Sequence, residues 1–256
     1  MNQMSMAAAA SIAAVWGLVA GSFVTVVAHR VPRKESIVGP RSRCPGCGSP
    51  IAAYDNVPVL SWVVLRGRGR CCGTQISARY PATELALAAL FAATALVLRD
   101  DPVELALGLV FVTTLVAITL TDLERRLIPN RILLVAAILG TAIAAAGDPA
   151  SLPERAAAAL GAGGLLFVTA LAYPRGMGLG DVKLAAVMGL FLGRSVAPAL
   201  LIAFFAGALV GVGLMVNEGA GARKRAIPFG PFLALGGVVG LLAGPALIDW
   251  YLTSFS

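Results

Sequence analysis

Apolar residues fill most of the chain in long blocks, and polar residues are confined to the intervals between them. A helix that crosses a bilayer needs roughly 20 mainly apolar residues, within a range of about 17–25. Eight blocks approach or meet that length, near 6–28, 82–98, 103–121, 131–146, 156–173, 182–193, 196–216 and 230–251. The first, third, seventh and eighth are long and clear. The second and fourth are near the lower limit. The sixth is short and flanked by glycine, which suits a partial or tilted span. The pattern predicts an all-α polytopic membrane protein with about eight transmembrane helices.

Composition agrees. The 256 residues are 58% hydrophobic and 13% charged, where a soluble domain carries about 25% charged residues. The first block differs from a cleaved signal peptide, which needs positive charge ahead of a short apolar core. Its basic residues, Arg30, Arg33 and Lys34, follow it, so it is expected to be retained, with the N-terminus outside. Cytoplasmic loops collect Lys and Arg. With that orientation, seventeen of the twenty basic residues fall in the inside intervals 29–81, 122–131, 174–183 and 217–229, and only Arg99, Arg155 and Arg194 fall outside. The net charge of +7 therefore reads as an orientation signal with contact to anionic membrane lipid, not as nucleic-acid binding.

The division expected is a first transmembrane helix at 1–28, a polar insert at 29–81 and a helical core at 82–256. The insert holds Pro32, Pro40, Pro45, Pro50, Pro58, Pro81 and all four cysteines. It is expected to be cytoplasmic, built of turns and short strands, and small enough to need a staple such as a metal. Runs such as Ala156–Gly164 suit close helix packing in lipid.

Two acids stand out, because ionisable residues at membrane depth are costly and functional by default. Asp122 closes the third block and Asp181 opens the sixth, so the topology puts both at the cytoplasmic boundary. Two carboxylates sharing a site do not readily ionise together. The charged one can take a proton from water, while the protonated one donates to a peptide carbonyl oxygen. That chemistry needs neither a catalytic metal nor a covalent intermediate. Gly178 and Gly180 allow close backbone approach beside Asp181. The ordinary reading of the two acids is interfacial charge paired with Arg125 and Lys183.

The surrounding residues sharpen this. Gly178-Leu179-Gly180-Asp181-Val182-Lys183-Leu184 resembles the second active-site motif of the type IV prepilin peptidases, which are GxGD membrane aspartic proteases. Asp122-Leu123-Glu124-Arg125-Arg126-Leu127-Ile128-Pro129-Asn130 resembles the first. Gly21-Ser22-Phe23-Val24-Thr25-Val26-Val27-Ala28-His29-Arg30-Val31-Pro32 resembles the family's N-terminal motif, with Thr25 where the family usually has Asn. Ile76–Glu84 is also similar. The resemblance runs in family order over nearly the whole chain.

It implies an intramembrane-type aspartic endopeptidase of the bacterial inner membrane, with Asp122 and Asp181 as the catalytic pair. Such enzymes remove the leader of type IV prepilins and pseudopilins after a glycine at the cytoplasmic face. Many members then methylate the new N-terminus with S-adenosylmethionine. Gly178, Gly180, Lys183 and Glu84 become supporting residues. Glu84 either lines the site or is a packed group paired with Arg79. Lys183 either orients the leader or extends to the interface.

Cys44-Pro45-Gly46-Cys47 is a metal knuckle by spacing, and a second pair would complete a tetrahedral zinc site. A cytoplasmic location argues against disulfides. Family members with the full tetrad would have cysteines at positions 69 and 72. This chain has Gly69, with Cys71 beside Cys72, and adjacent cysteines need a local backbone adjustment. Three outcomes are open: a structural zinc held by Cys44, Cys47, Cys71 and Cys72; one held by three cysteines and another ligand such as His29; or loss of tight metal binding. The family links this insert to methylation, so the departure bears on the methyltransferase and not on the aspartates. The rival functions are a peptidase without methyltransferase activity, a transporter or channel using intramembrane acids, and a silent scaffold that binds pilin precursors.

Overall fold

The computed structural model describes residues 5–39, 42–44, 46–173, 177–218 and 227–255. Arg41, Arg175, Arg223, Lys224 and Arg225, which carry part of the charge asymmetry, lie outside them, as do Pro40 and Pro45. The described residues form α1 (Met6–Arg30), α2 (Leu60–Val64), α3 (Arg79–Leu98), α4 (Pro102–Arg125), α5 (Asn130–Gly147), α6 (Leu152–Ala172), α7 (Leu179–Leu192), α8 (Val196–Glu218) and α9 (Gly230–Phe255), with no strand among them. Among the described residues, seven segments are long and apolar enough to cross a membrane. Large apolar side chains such as Trp16, Leu160 and Val216 stand exposed, as lipid-facing surfaces require and water-soluble surfaces avoid. Thr94, Thr113, Thr114, Thr119 and Thr169 each turn the hydroxyl back onto the carbonyl four residues earlier. Each hydroxyl is thereby satisfied within its own helix.

The chain divides into two compact units, Met1–Arg99 and Asp100–Ser256. In the first, Ser5 caps α1 by accepting from Ala8 N–H at 3.2 Å. α1 packs antiparallel on α3, with Gly17 against Ala88 and Gly21 against Glu84. A Cβ at Gly17 would lie 2.6 Å from Ala88 Cα, and one at Gly21 would lie 2.6 Å from Glu84 Cα. Glycine is thus demanded by backbone contact, the route by which helices associate in lipid without a hydrophobic drive. Between α1 and α3 the polar insert was expected to hold short strands. Its described residues form turns, α2 and two isolated bridges, Arg43 with Pro50 and Arg68 with Gln75. Pairing stops at one bridge in each turn because the neighbouring N–H groups close the turns themselves.

In the second unit, α7 and α8 come from one 39-residue apolar segment, Leu179–Asn217. α9 shows that they run in opposite directions. Along α9, Gly237 faces Met188 of α7, Gly240 faces Leu192 and then Ser195 and Ala199, and Gly236 faces Ala199 and Ala203 of α8. The chain therefore climbs α7 beside α9 and returns along α8, reversing at Gly193 (φ 53°). The sixth block is a helix of its own. At 14 residues it is about 21 Å long, short of the roughly 30 Å hydrocarbon core.

The same contacts make α4 antiparallel to α5 and α6 antiparallel to α7. Gly147 meets Val103, and Gly189 meets Ala158. The core lies where α4, α7 and α9 meet, with Phe111, Leu115, Ile118, Leu184, Met188 and Leu233 fully buried. Phe111 stacks on Phe191 at 5.1 Å. The C-termini of α4 and α6 and the N-termini of α5, α7 and α9 all collect at one end of the unit. At the other end Arg155, 5% exposed, pairs with Glu104 and donates to Phe191 O at 2.8 Å and Ser151 Oγ at 3.0 Å. That places a buried cation only where carboxylate and carbonyl partners surround it.

Gly17→Val would force α1 off α3. Overpacking of this kind costs about 1–3 kcal/mol, so the thermal midpoint in detergent should fall by several degrees. An unchanged midpoint would contradict the backbone contact described.

Candidate active site

Asp122 lies in the last turn of α4, directly after the apolar run that makes the helix. The helix ends just after it, at Arg126 in the left-handed region (φ 51°), whose N–H returns to Asp122 O at 2.8 Å. That is the usual left-handed stop. Asp181 is the third residue of α7. The N-cap there is Gly178, so the side-chain half of a capping box is absent. The other half is present, and Gly178 N–H donates to Asp181 Oδ2 at 3.2 Å. Asp122 and Asp181 are both buried, 5% and 9% exposed, at the end of the unit where α4 finishes and α7 begins.

The two motifs interlock. Ile128, from the turn after α4, is buried against Gly180, where a Cβ would lie 3.0 Å from Ile128 Cβ. Lys183 Nζ donates to Asn130 Oδ1 at 3.1 Å. Gly180 is therefore closely approached by a side chain of the other motif, and Lys183 spans from the second motif to the end of the first. Asp122 has its own donor in Gly230, whose N–H reaches Asp122 Oδ2 at 2.9 Å. Among the described residues no donor reaches Oδ1 of either aspartate. No buried side-chain oxygen there is both sealed and unpartnered, so each Oδ1 is open. Two buried carboxylates, each with one oxygen tied down and one open, form an arrangement able to hold and activate a water.

Glu84, buried in the first unit, accepts from Val59 N–H at 2.7 Å. Val59 has φ 60° at the start of α2, an unusual conformation for a β-branched residue. The carboxylate thus ties the insert to α3.

The four cysteine Sγ atoms lie within 4.8 Å of one another. Contacts are 3.5 Å for Cys44–Cys72, 3.1 Å for Cys47–Cys71 and 3.8 Å for Cys71–Cys72. Thiolates at about 2.3 Å from a tetrahedral zinc sit about 3.8 Å apart, so the donor set fits. The two turns repeat each other. Cys44 N–H donates to Ser49 O and Gly48 N–H to Cys44 O; Gly69 N–H donates to Thr74 O and Gly73 N–H to Gly69 O. Gly48 and Gly73 both have φ near 70°, at 71° and 70°. Gly69 is the counterpart of Cys44 and lacks its thiol. A Cβ there would lie 3.5 Å from Cys44 Sγ and 4.0 Å from Cys71 Sγ, so Cys71 reaches the place that a thiol at 69 would fill. Hydrogen bonds from Ser49 and then Cys71 hold the Cys47 thiol down at about 6. Bonds to Cys47 and then Cys44 push Cys71 up to about 12. Thr74 lowers Cys72. His29, at the end of α1, is not part of this group.

Residues 15–98 match the bacterial peptidase A24 N-terminal domain, and residues 109–212 match the type IV leader peptidase family. A prepilin leader peptidase/N-methyltransferase of Aeromonas hydrophila is 36% identical over 96% of this chain and 94% of its own length. The protein of that name from Bacillus subtilis (strain 168) is 36% identical over 94% of this chain and 97% of its own length. The chain belongs to the prepilin leader peptidase family. Its enzyme class is that of a prepilin peptidase, and its substrates as a class are prepilins. No solved structure matches it.

Sequence reasoning about this peptidase missed Gly230 as part of the site, and it had Ile128 and Asn130 only as members of the first motif, without their contacts to Gly180 and Lys183. Pro228-Phe229-Gly230-Pro231, at the mouth of the last apolar block, was the available signal for Gly230. It also did not foresee the pairing of Glu104 with Arg155 at the opposite end, for which an acid inside the third block and a base just before the fifth were the signal.

Asp181→Asn keeps an oxygen for Gly178 N–H, whereas Asp181→Leu does not. Thermal melts should show the Asn variant near wild type and the Leu variant lower, by about 0.5–2 kcal/mol. Equal stability of the two would show that this bond does not hold the start of α7.

Proposed function

We propose that this peptidase removes prepilin leaders by activating a water between Asp122 and Asp181. The observation that carries the reading is the convergence of both aspartates, each fixed by a glycine N–H, at one end of one unit. One proton is shared by the pair, so the two titrate as a unit. The carboxylate without the proton takes one from water, and the water oxygen attacks the scissile carbonyl. The protonated carboxyl donates to the carbonyl oxygen. On collapse of the tetrahedral intermediate the first carboxyl passes the proton it took from water to the leaving nitrogen, the second takes back the hydroxyl proton, and the amine departs with the dyad restored. The scissile bond follows a glycine, with the substrate's apolar helix in the membrane and its basic leader in the cytoplasm. The charge asymmetry of the loops supports this orientation, with the N-terminus outside, in the inner membrane of a bacterium. The acids stand at the end of the helices, where a transporter site would stand near the bilayer midplane.

The insert at 29–81, between the first helix at 1–28 and the peptidase core at 82–256, holds a structural zinc on Cys44, Cys47, Cys71 and Cys72. When bound, the metal cross-links the two turns and requires deprotonated thiols. N-methylation of the new N-terminus with S-adenosylmethionine is the second activity, supported by the relatives' names. It follows cleavage.

Mass spectrometry of a prepilin incubated with membranes tests the dyad. Asp122→Asn and Asp181→Asn should each lower leader removal by about 100- to 10,000-fold; retained cleavage in either sinks the dyad. With S-adenosylmethionine, the wild-type product should gain about 14 Da per methyl group, and a product that stays unmethylated argues for a peptidase alone.

Metal analysis of the purified protein tests the insert. Wild type should retain one zinc, Cys71→Ser should lose it, and adding Gly69→Cys to Cys71→Ser should restore it. Equal zinc in wild type and Cys71→Ser would remove Cys71 from the ligand set.

A further inference from the structure

The start of α9 has few backbone donors to give. The first N–H groups of any helix lack partners within it, and a buried donor left unpaired is costly. Pro231 has no N–H. Phe232 and Leu233 both donate to Phe229 O, at 3.0 and 3.1 Å. Gly230 N–H remains, and it goes to Asp122 Oδ2 at 2.9 Å. The same glycine leaves no space beside that carboxylate. A Cβ at 230 would lie 2.7 Å from Asp122 Oδ2 and 3.1 Å from its Cγ. The turn is anchored by Phe229, which packs against Phe204 of α8 at 5.6 Å and Phe232 at 6.1 Å. It also lies over Gly207, where a Cβ would be 3.1 Å from its ring.

We propose that Gly230 is a positioning residue for leader cleavage: its N–H engages Oδ2 of Asp122 and leaves Oδ1 to face water and Asp181. The proposal rests on the dyad reading above. It gives the two aspartates matched supports. Gly178 holds Asp181 from the N-cap of its own helix, and Gly230 holds Asp122 from a helix that starts 108 residues away in sequence. The last transmembrane helix thereby becomes part of the active site, although it carries no catalytic side chain.

The test compares Gly230→Ala with Gly237→Ala in purified enzyme cleaving a prepilin, with rates normalised to folded protein. Gly237 is on the same helix and also tightly packed, with a Cβ there 2.9 Å from Leu115 Cδ1, but it touches neither aspartate. Gly230→Ala should lower kcat by about 100-fold, the scale of a 1 Å misplacement of a reacting group, with KM unchanged. Gly237→Ala should keep kcat. If Gly230→Ala does not accumulate, Phe229→Leu decides, and its kcat should fall at unchanged KM. Wild-type kcat in Gly230→Ala, or failing that in Phe229→Leu, overturns the proposal, as does a loss confined to KM. Asp122→Asn in the same assay separates the two readings: if it cleaves, the dyad itself fails, and if it is silent while Gly230→Ala is fully active, only the role of Gly230 falls.

Discussion

Two carboxylates at the end of an apolar helical bundle persist only if the backbone supplies what water would otherwise supply. Here each receives one glycine N–H, from Gly178 for Asp181 and from Gly230 for Asp122. Everything around the site serves those two bonds. α4 must stop just past Asp122, which the left-handed turn at Arg126 achieves. α7 must begin at Gly178, and α9 must start level with both. Glycine suits the two donors for different reasons. At 230 the carboxylate itself occupies the space of a Cβ. At 178 the chain is extended at the N-cap, and the aspartate reaches back to it in place of a capping side chain.

The opposite end of the second unit is built by the inverse logic. Arg155 is buried, and its donors are spent on Glu104, Ser151 and the last carbonyls of α7. Those carbonyls are orphans of a helix end, so a guanidinium satisfies them while they help to satisfy it. Glu154 accepts from Arg194 N–H at 3.1 Å just beyond, where α7 turns back into α8. A short helix thus has its C-terminal carbonyls covered by side chains from α6. This leaves its N-terminal end, with Asp181, at the other face of the bundle.

The cysteine turns show how a local sequence defect can leave a site's shape intact. The backbone of the second turn repeats the first, hydrogen bond for hydrogen bond, even though its leading position is Gly69. The thiol missing there is approached by Cys71, two residues on. Adjacent cysteines on one strand would point to opposite sides. In this tight turn, closed by Gly73 at φ 70°, both Sγ atoms converge on Cys44 and Cys47.

The sequence by itself determined the helical membrane architecture, because continuous apolar blocks of about 20 residues suit helices, in which each backbone bond closes within its own segment. It also singled out Asp122 and Asp181, because a charge at membrane depth is costly enough to be conspicuous. Gly178 and Gly180 were visible through their place in a known pattern. What only the tertiary structure decided were the relations across distant segments: that Ile128 fills the space at Gly180, that Asn130 holds Lys183, that Glu84 is spent on Val59 and that Gly230 reaches Asp122. A backbone N–H is the same at every non-proline position, so nothing in the sequence says which one will meet a given carboxylate. The separation of α7 from α8 was legible as the break between the sixth and seventh blocks at Arg194, but how the two helices pack was not. Packing against α9 settles it, and packing is a property of the whole fold.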